Sequence, residues 1–170
     1  MSFKTSKQVA HSVPIEDEMN ADENILSPHF TLAELAVTSN KKYKESNLAY
    51  AKTLRYKLEG LADFLEEVRA VVGAPLLITS GVRSPELNKA VGGAEKSQHM
   101  RGEAVDMIPQ GKEPTESVFC KIFNSHLIFD QLILENSKGK VWIHISYKSM
   151  TGRREALVFD GKLYKKYTGD

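Results

Sequence analysis

The sequence predicts one α+β domain, a small and mainly antiparallel sheet with helices packed at one side. Three observations predict it. From Asn47 to Val72, the residues Leu48, Ala51, Leu54, Leu58, Leu61, Leu65 and Val68 recur at spacings of three and four, the period of an amphipathic helix. Elsewhere the short apolar runs PLLITSG, EAVDMI, FDQLILE and VWIHISY are bounded by Gly, Pro, Asn or Lys, as strands are. Finally, 170 residues suffice for one domain with a substantial core and are too few for two ordinary ones.

Composition narrows the function classes. Hydrophobic residues at 41% and charged residues at 26% belong to a globular protein. A formal net charge of +1 exerts no broad pull on nucleic acid or membrane, so neither is expected as a partner. No run of ~20 apolar residues suggests a membrane span. The first residues lack the apolar core of a secretory leader, so the chain is expected to be cytoplasmic as synthesised. A monomer is expected. Cys120, the single cysteine, cannot form an internal disulfide; in the run VFCKIF it reads as a core thiol.

In chain order, residues 1–26 form a polar arm with an acidic cluster from Glu16 to Glu23, and the folded domain spans 27–170. His11 and His29, in or beside this arm, carry no expected function. Thr31 and Glu34 have capping-box spacing for a short helix whose apolar side is Leu32, Leu35 and Ala36. The long helix over 47–72 tolerates Gly60 at a cost of about 1 kcal/mol and ends at Gly73 and Pro75. A strand over 76–79 delivers the chain to Gly81 and Arg83, and Ser84-Pro85-Glu86 opens a helical turn.

A strand over 103–108 follows, then a helix over 115–125 with Val118, Phe119, Ile122 and Phe123 buried and His126 structural or solvent-facing. A strand over 129–135, a turn over 136–139 and a strand over 141–147 make a hairpin, and ALVFDG and KLYKKY form a last pair turning at Asp160-Gly161. In the 141–147 strand, alternation sets Val141, Ile143 and Ile145 toward the core and Trp142, His144 and Ser146 toward a cleft.

Chemistry concentrates in SGVRSPELNKAVGGAEKSQHMRGEAVDM, which contains Ser-x-His-x-x-Gly-x-Ala-x-Asp at Ser97, His99, Gly102, Ala104 and Asp106. An imidazole and a carboxylate suit zinc, and Gly102 permits a reversal that brings them together. The third donor is sought in VWIHIS, at His144.

These segments, with FTLAEL at Phe30–Leu35, FDQLILE and WIHIS, resemble the zinc D-alanyl-D-alanine carboxypeptidase family, in its phage and bacterial branch. That family includes vancomycin-resistance D,D-peptidases and L-alanyl-D-glutamate endolysins, and the Hedgehog signalling domain shares its metal scaffold. The likeness runs from about Ser27 to Tyr147. It implies one Zn²⁺ ion held by His99, Asp106 and His144, with Arg83 as a substrate-polarising cation. Arg83, Ser97 and Trp142 would contact substrate. Many relatives carry an acid or histidine three residues before the last ligand, where this chain has Val141. Glu135, which resembles the acid ending the matching Hedgehog strand, is the expected base, and Asp130 is the alternative.

The resemblance further implies a metallopeptidase acting on peptidoglycan stem peptides or muropeptides. It would act as a D-Ala-D-Ala carboxypeptidase or an L-Ala-D-Glu-type endopeptidase, including a phage endolysin released to the wall by a lysis pore. The alternative, motivated by Val141, is a non-hydrolytic zinc domain that binds a wall peptide or forms part of a phage particle.

Overall fold

A computed structural model describes residues 24–149 and 151–169; His11 and the Glu16–Glu23 cluster lie outside the described residues. The chain folds as α+β. Strands β1 (Ile25–Ser27) and β2 (Phe30–Thr31) pair as a small antiparallel ribbon. Strands β3 (Leu76–Ser80), β4 (Ala104–Pro109), β5 (Gln131–Ser137), β6 (Lys140–Ser146), β7 (Glu155–Phe159) and β8 (Tyr164–Lys166) form a sheet in the order β3-β4-β6-β5-β7-β8. Its neighbours are antiparallel except β5 and β7, which run parallel. The helices are α1 (Leu32–Leu35), α2 (Lys44–Thr53), α3 (Arg55–Val72), α4 (Pro85–Ala90) and α5 (Thr115–Phe123).

Alternation along the strands separates a core face from a cleft face. Val105 and Met107 on β4, Leu132 on β5, Ile143 and Ile145 on β6 and Ala156 on β7 are all buried in one cluster. That cluster includes Leu58, Leu61, Leu65 and Val68 of α3 and Phe119 and Ile122 of α5. The opposite parity carries Asp106, His144 and Glu135. Register fixes their rows: Asp106 stands opposite His144, His144 opposite Ile133, and Trp142 opposite Glu135. A slip of one residue would turn a whole strand over, so the core that buries Ile143 and Ile145 also decides where His144 faces.

Local chemistry places the ends. Thr31 and Glu34 form a reciprocal capping box, and Ser84 caps α4 by accepting from Leu87 N at 3.2 Å. Gly73 closes α3 in the left-handed region at φ 75°. The turn of the β5–β6 hairpin is tighter than the expected 136–139. Only Lys138 and Gly139 sit between the strands, both at positive φ (51° and 74°), matching the right-handed strand twist.

One expectation is corrected. The helix expected over 47–72 begins at Lys44 and divides at Leu54, whose φ −105° and ψ 13° leave the helical region, so α2 and α3 meet at a bend. Apolar periodicity reads through a one-residue break because Leu54 and Leu58 both still face inward. Tyr50, one turn earlier, donates to the Met100 carbonyl at 2.8 Å.

Candidate metal centre and its cleft

The His99 turn is built locally. Ser97 caps a short 3₁₀ turn, Gln98–Arg101, by accepting from the His99 N–H at 3.3 Å, and Gly102 ends it at φ 66°. A left-handed residue here reverses the chain into β4, which carries Asp106 four residues later. Gly81 passes so close to the Leu35 carbonyl that no Cβ fits, and its own carbonyl accepts from His99 Nδ1 at 2.7 Å. That bond fixes the proton on Nδ1 and leaves Nε2 as a lone pair aimed at the cleft.

Three donor atoms converge. His99 Nε2 lies 3.3 Å from His144 Nδ1 and 3.3 Å from Asp106 Oδ1, and His144 Nδ1 lies 2.9 Å from the same oxygen. Bonds of ~2.0–2.1 Å at tetrahedral angles set zinc donors about 3.3 Å apart, so this donor set fits the ion in both atom type and spacing. Both histidines are buried, His99 at 4% exposure and His144 at 8%.

Electrostatics favours the ligating protonation states. Burial pushes the His99 imidazole below its ordinary value despite the neighbouring Asp106 carboxylate. Burial alone would raise Asp106, but its electrostatic and hydrogen-bond contacts with the two imidazoles outweigh it and hold the carboxyl far below the usual range. A neutral imidazole beside an ionised carboxylate is what a metal requires.

Arg83 lines the cleft and is also tied to the donor set. Its Nη2 donates to Asp106 Oδ2 at 2.9 Å and its Nε to Ser80 Oγ at 2.9 Å. It therefore fixes the ligand carboxylate through one oxygen and leaves Oδ1 toward the imidazoles, while still lining the cleft. That cleft, about 730 Å³, runs in front of the donors and is also lined by Ser97, Glu135, Trp142 and Tyr164.

The two acids considered as bases have different surroundings. Asp130 is 2% exposed and accepts from Arg153 N, Nε and Nη2 and from Gln98 Nε2. The Arg153 hydrogen bonds hold its carboxyl below the ordinary value. Such a group is a tie between the His99 turn and the segment entering β7. Glu135 shares the cleft face with His144, and burial, followed by the Asp106 charge, pushes its carboxyl up. Val141 has the parity of Ile143 and Ile145. In this regular hairpin an acid at that position would be directed away from the donors, whereas Glu135, across the ladder from Trp142, is directed toward them.

Other side chains divide plainly. His29 pairs with Glu66 at 2.8 Å outside the cleft, and His126 is exposed. Cys120 packs against the core, with Sγ 3.3 Å from Tyr167 Oη. The structure also brings in residues that sequence reasoning missed. Gln98 neighbours His99 in the motif and was therefore within reach, but Arg153 and Tyr164 come from the tail with no local pattern. Asn47, read only as the start of a helix, is fully buried and binds the Ala36 and Val82 carbonyls and the Ser84 N–H, fixing the loop that bears Arg83.

Among the described residues, no helix is long and apolar enough to cross a membrane. No curated protein matches the chain. A family model described as Peptidase M15 matches residues 28–146, well over half of the sequence and the whole of the donor set. The chain therefore belongs to the Peptidase M15 family, a family of zinc-dependent metallopeptidases.

Proposed function

We propose that the chain hydrolyses a peptide bond in peptidoglycan stem peptides, as a D-Ala-D-Ala carboxypeptidase or an L-Ala-D-Glu-type endopeptidase, the latter in the manner of a phage endolysin. The observation that carries the reading is the convergence of His99 Nε2, Asp106 Oδ1 and His144 Nδ1 beside a cleft that also contains Glu135. Zinc, when bound there, supplies a Lewis acid and lowers the pKa of water to about 7.

The chain's own groups do the rest. Glu135 takes a proton from the attacking water at its carboxylate and returns it to the leaving amine, and its half-buried place on the cleft face, in the row beside His144, suits both halves of that transfer. Arg83 holds Asp106 in position and offers the edge of its guanidinium to the cleft. Trp142 gives an apolar wall on the same face. Lys96 and Lys148 also line this cleft, and their charge favours the carboxylates that stem peptides carry.

The deciding experiment digests purified peptidoglycan with the zinc-loaded chain, with and without chelator, and identifies the products by mass spectrometry. Loss of one terminal D-alanine, or a cut after L-alanine, tells the two bond choices apart. A chain that binds zinc and cleaves no stem peptide would be a binding module instead.

A further inference from the structure

We propose that Tyr164 is a positioning residue that orients the Glu135 carboxylate, so that the terminal hairpin β7–β8 completes the site. The matched family segment ends at residue 146, before this hairpin begins. The inference rests on Glu135 being the base, as argued above.

The sheet register puts these residues in one row. Trp142 on β6 faces Glu135 on β5, Glu135 faces Phe159 on β7, and Phe159 faces Tyr164 on β8. Partners in register share a face of the sheet, so all four side chains stand on the cleft side. Tyr164 starts two strands away from Glu135, too far for most side chains. Its ring lies over Phe159, with centroids 4.5 Å apart and planes at 30°, and this stacking carries the hydroxyl to 3.4 Å from Glu135 Oε1.

Burial in the core does not explain the arrangement. All of β8 is exposed, Tyr164 is 55% exposed, and the strand contributes nothing to the buried cluster through this residue. Among the described residues, Tyr164 makes the only hydrogen bond that reaches the Glu135 side chain. A separation of 3.4 Å is long for O–H···O, as catalytic contacts often are before substrate binds. Donation from Tyr164 Oη to Oε1 would hold the carboxylate in one rotamer and leave Oε2 to take and return the proton.

The test uses the full zinc-loaded chain and Tyr164→Phe, which keeps the ring on Phe159 and removes only the hydroxyl. On a stem peptide, kcat should fall about tenfold while KM stays within about twofold. Asp106 on β4, His144 on β6 and Tyr164 on β8 act electrostatically on Glu135, and in the zinc-loaded chain the ion adds its charge equally in parent and variant. Losing the donor should therefore move the acid limb of kcat/KM to higher pH, a change that a purely structural role would not produce. Independently of activity, the Glu135 carboxyl carbon, followed by NMR and assigned with Glu135→Gln, should titrate at higher pH in Tyr164→Phe than in the parent. An unchanged kcat together with an unchanged titration midpoint overturns the proposal. If the parent cleaves no stem peptide, the functional reading fails by itself, and the NMR midpoint alone then upholds or overturns the Tyr164 contact.

Discussion

Glu135→Gln separates holding the metal from using it. The substitution keeps the shape of the side chain and removes its capacity to carry a proton. Glu135 is not among the converging donors, so zinc should remain at one per chain. Loss of a positioned base costs ~10²–10⁴-fold in rate, which is about 3–5 kcal/mol of transition-state stabilisation. Steady-state hydrolysis of a stem peptide should show that loss in kcat, with KM little changed. Stability supplies a second readout in chelated protein. Burial and the Asp106 charge raise this carboxyl in the folded state. A raised acid contributes stability that is complete below its unfolded value, about 4.3, and is lost as pH rises through the folded value. The Gln variant should therefore melt at or above the parent at neutral pH, and the difference should vanish in acid. A variant with full kcat would refute the assignment of the base, whatever its stability.

The remaining predictions concern the frame around that proton. His144→Ala removes one of the three converging donors, so metal analysis after dialysis should find almost no zinc, and added zinc should no longer raise the melting temperature. Asp130→Ala should cost about 1–3 kcal/mol by chemical denaturation, because Gln98 Nε2 and the Arg153 N–H lose their buried acceptor. The Asp130 carboxyl lies below its ordinary value, so its contribution is present above the unfolded pKa and disappears as pH falls through the folded one. The acid limb of the stability profile should therefore be shallower in this variant. Its kcat should fall far less than that of Glu135→Gln, and an equal fall would move the base to Asp130.

Much of the site was legible because its signals are local. Ser97, His99, Gly102 and Asp106 fall within a single turn and strand, and His144 announces its face through its isoleucine neighbours. The strands and caps were legible for the same reason, since capping boxes and period-two alternation are short-range. What escaped depends on contacts between distant segments. Asn47 gains its role from carbonyls 11 and 35 residues away, and Arg153 meets Asp130 across 23 residues. The bond from Arg83 to Asp106 was not anticipated either, since it follows only once β3 and β4 are paired. The parallel contact of β5 with β7 was equally hidden, because no turn signal marks a strand that returns on the far side of its hairpin.

Gly102 shows how strongly the fold and the site depend on one another. Its φ of 66° is open to glycine at no cost and to alanine at about 1–2 kcal/mol. An added Cβ would also stand 3.3 Å from Leu58 Cδ2, on the helix that fills the core beneath the sheet. Relief by moving α3 is opposed by Leu61 and Leu65, both buried, so the strain falls on the turn that positions His99. Gly102→Ala should therefore lower stability by about 1–2 kcal/mol and weaken zinc binding as well, although residue 102 offers no ligand atom. Added zinc should recover part of the lost melting temperature, since an ion bound only to the correct turn selects it. Equal zinc affinity in parent and variant would mean that His99 is positioned by Gly81 and Ser97 alone, and that the reversal at Gly102 matters only to the core.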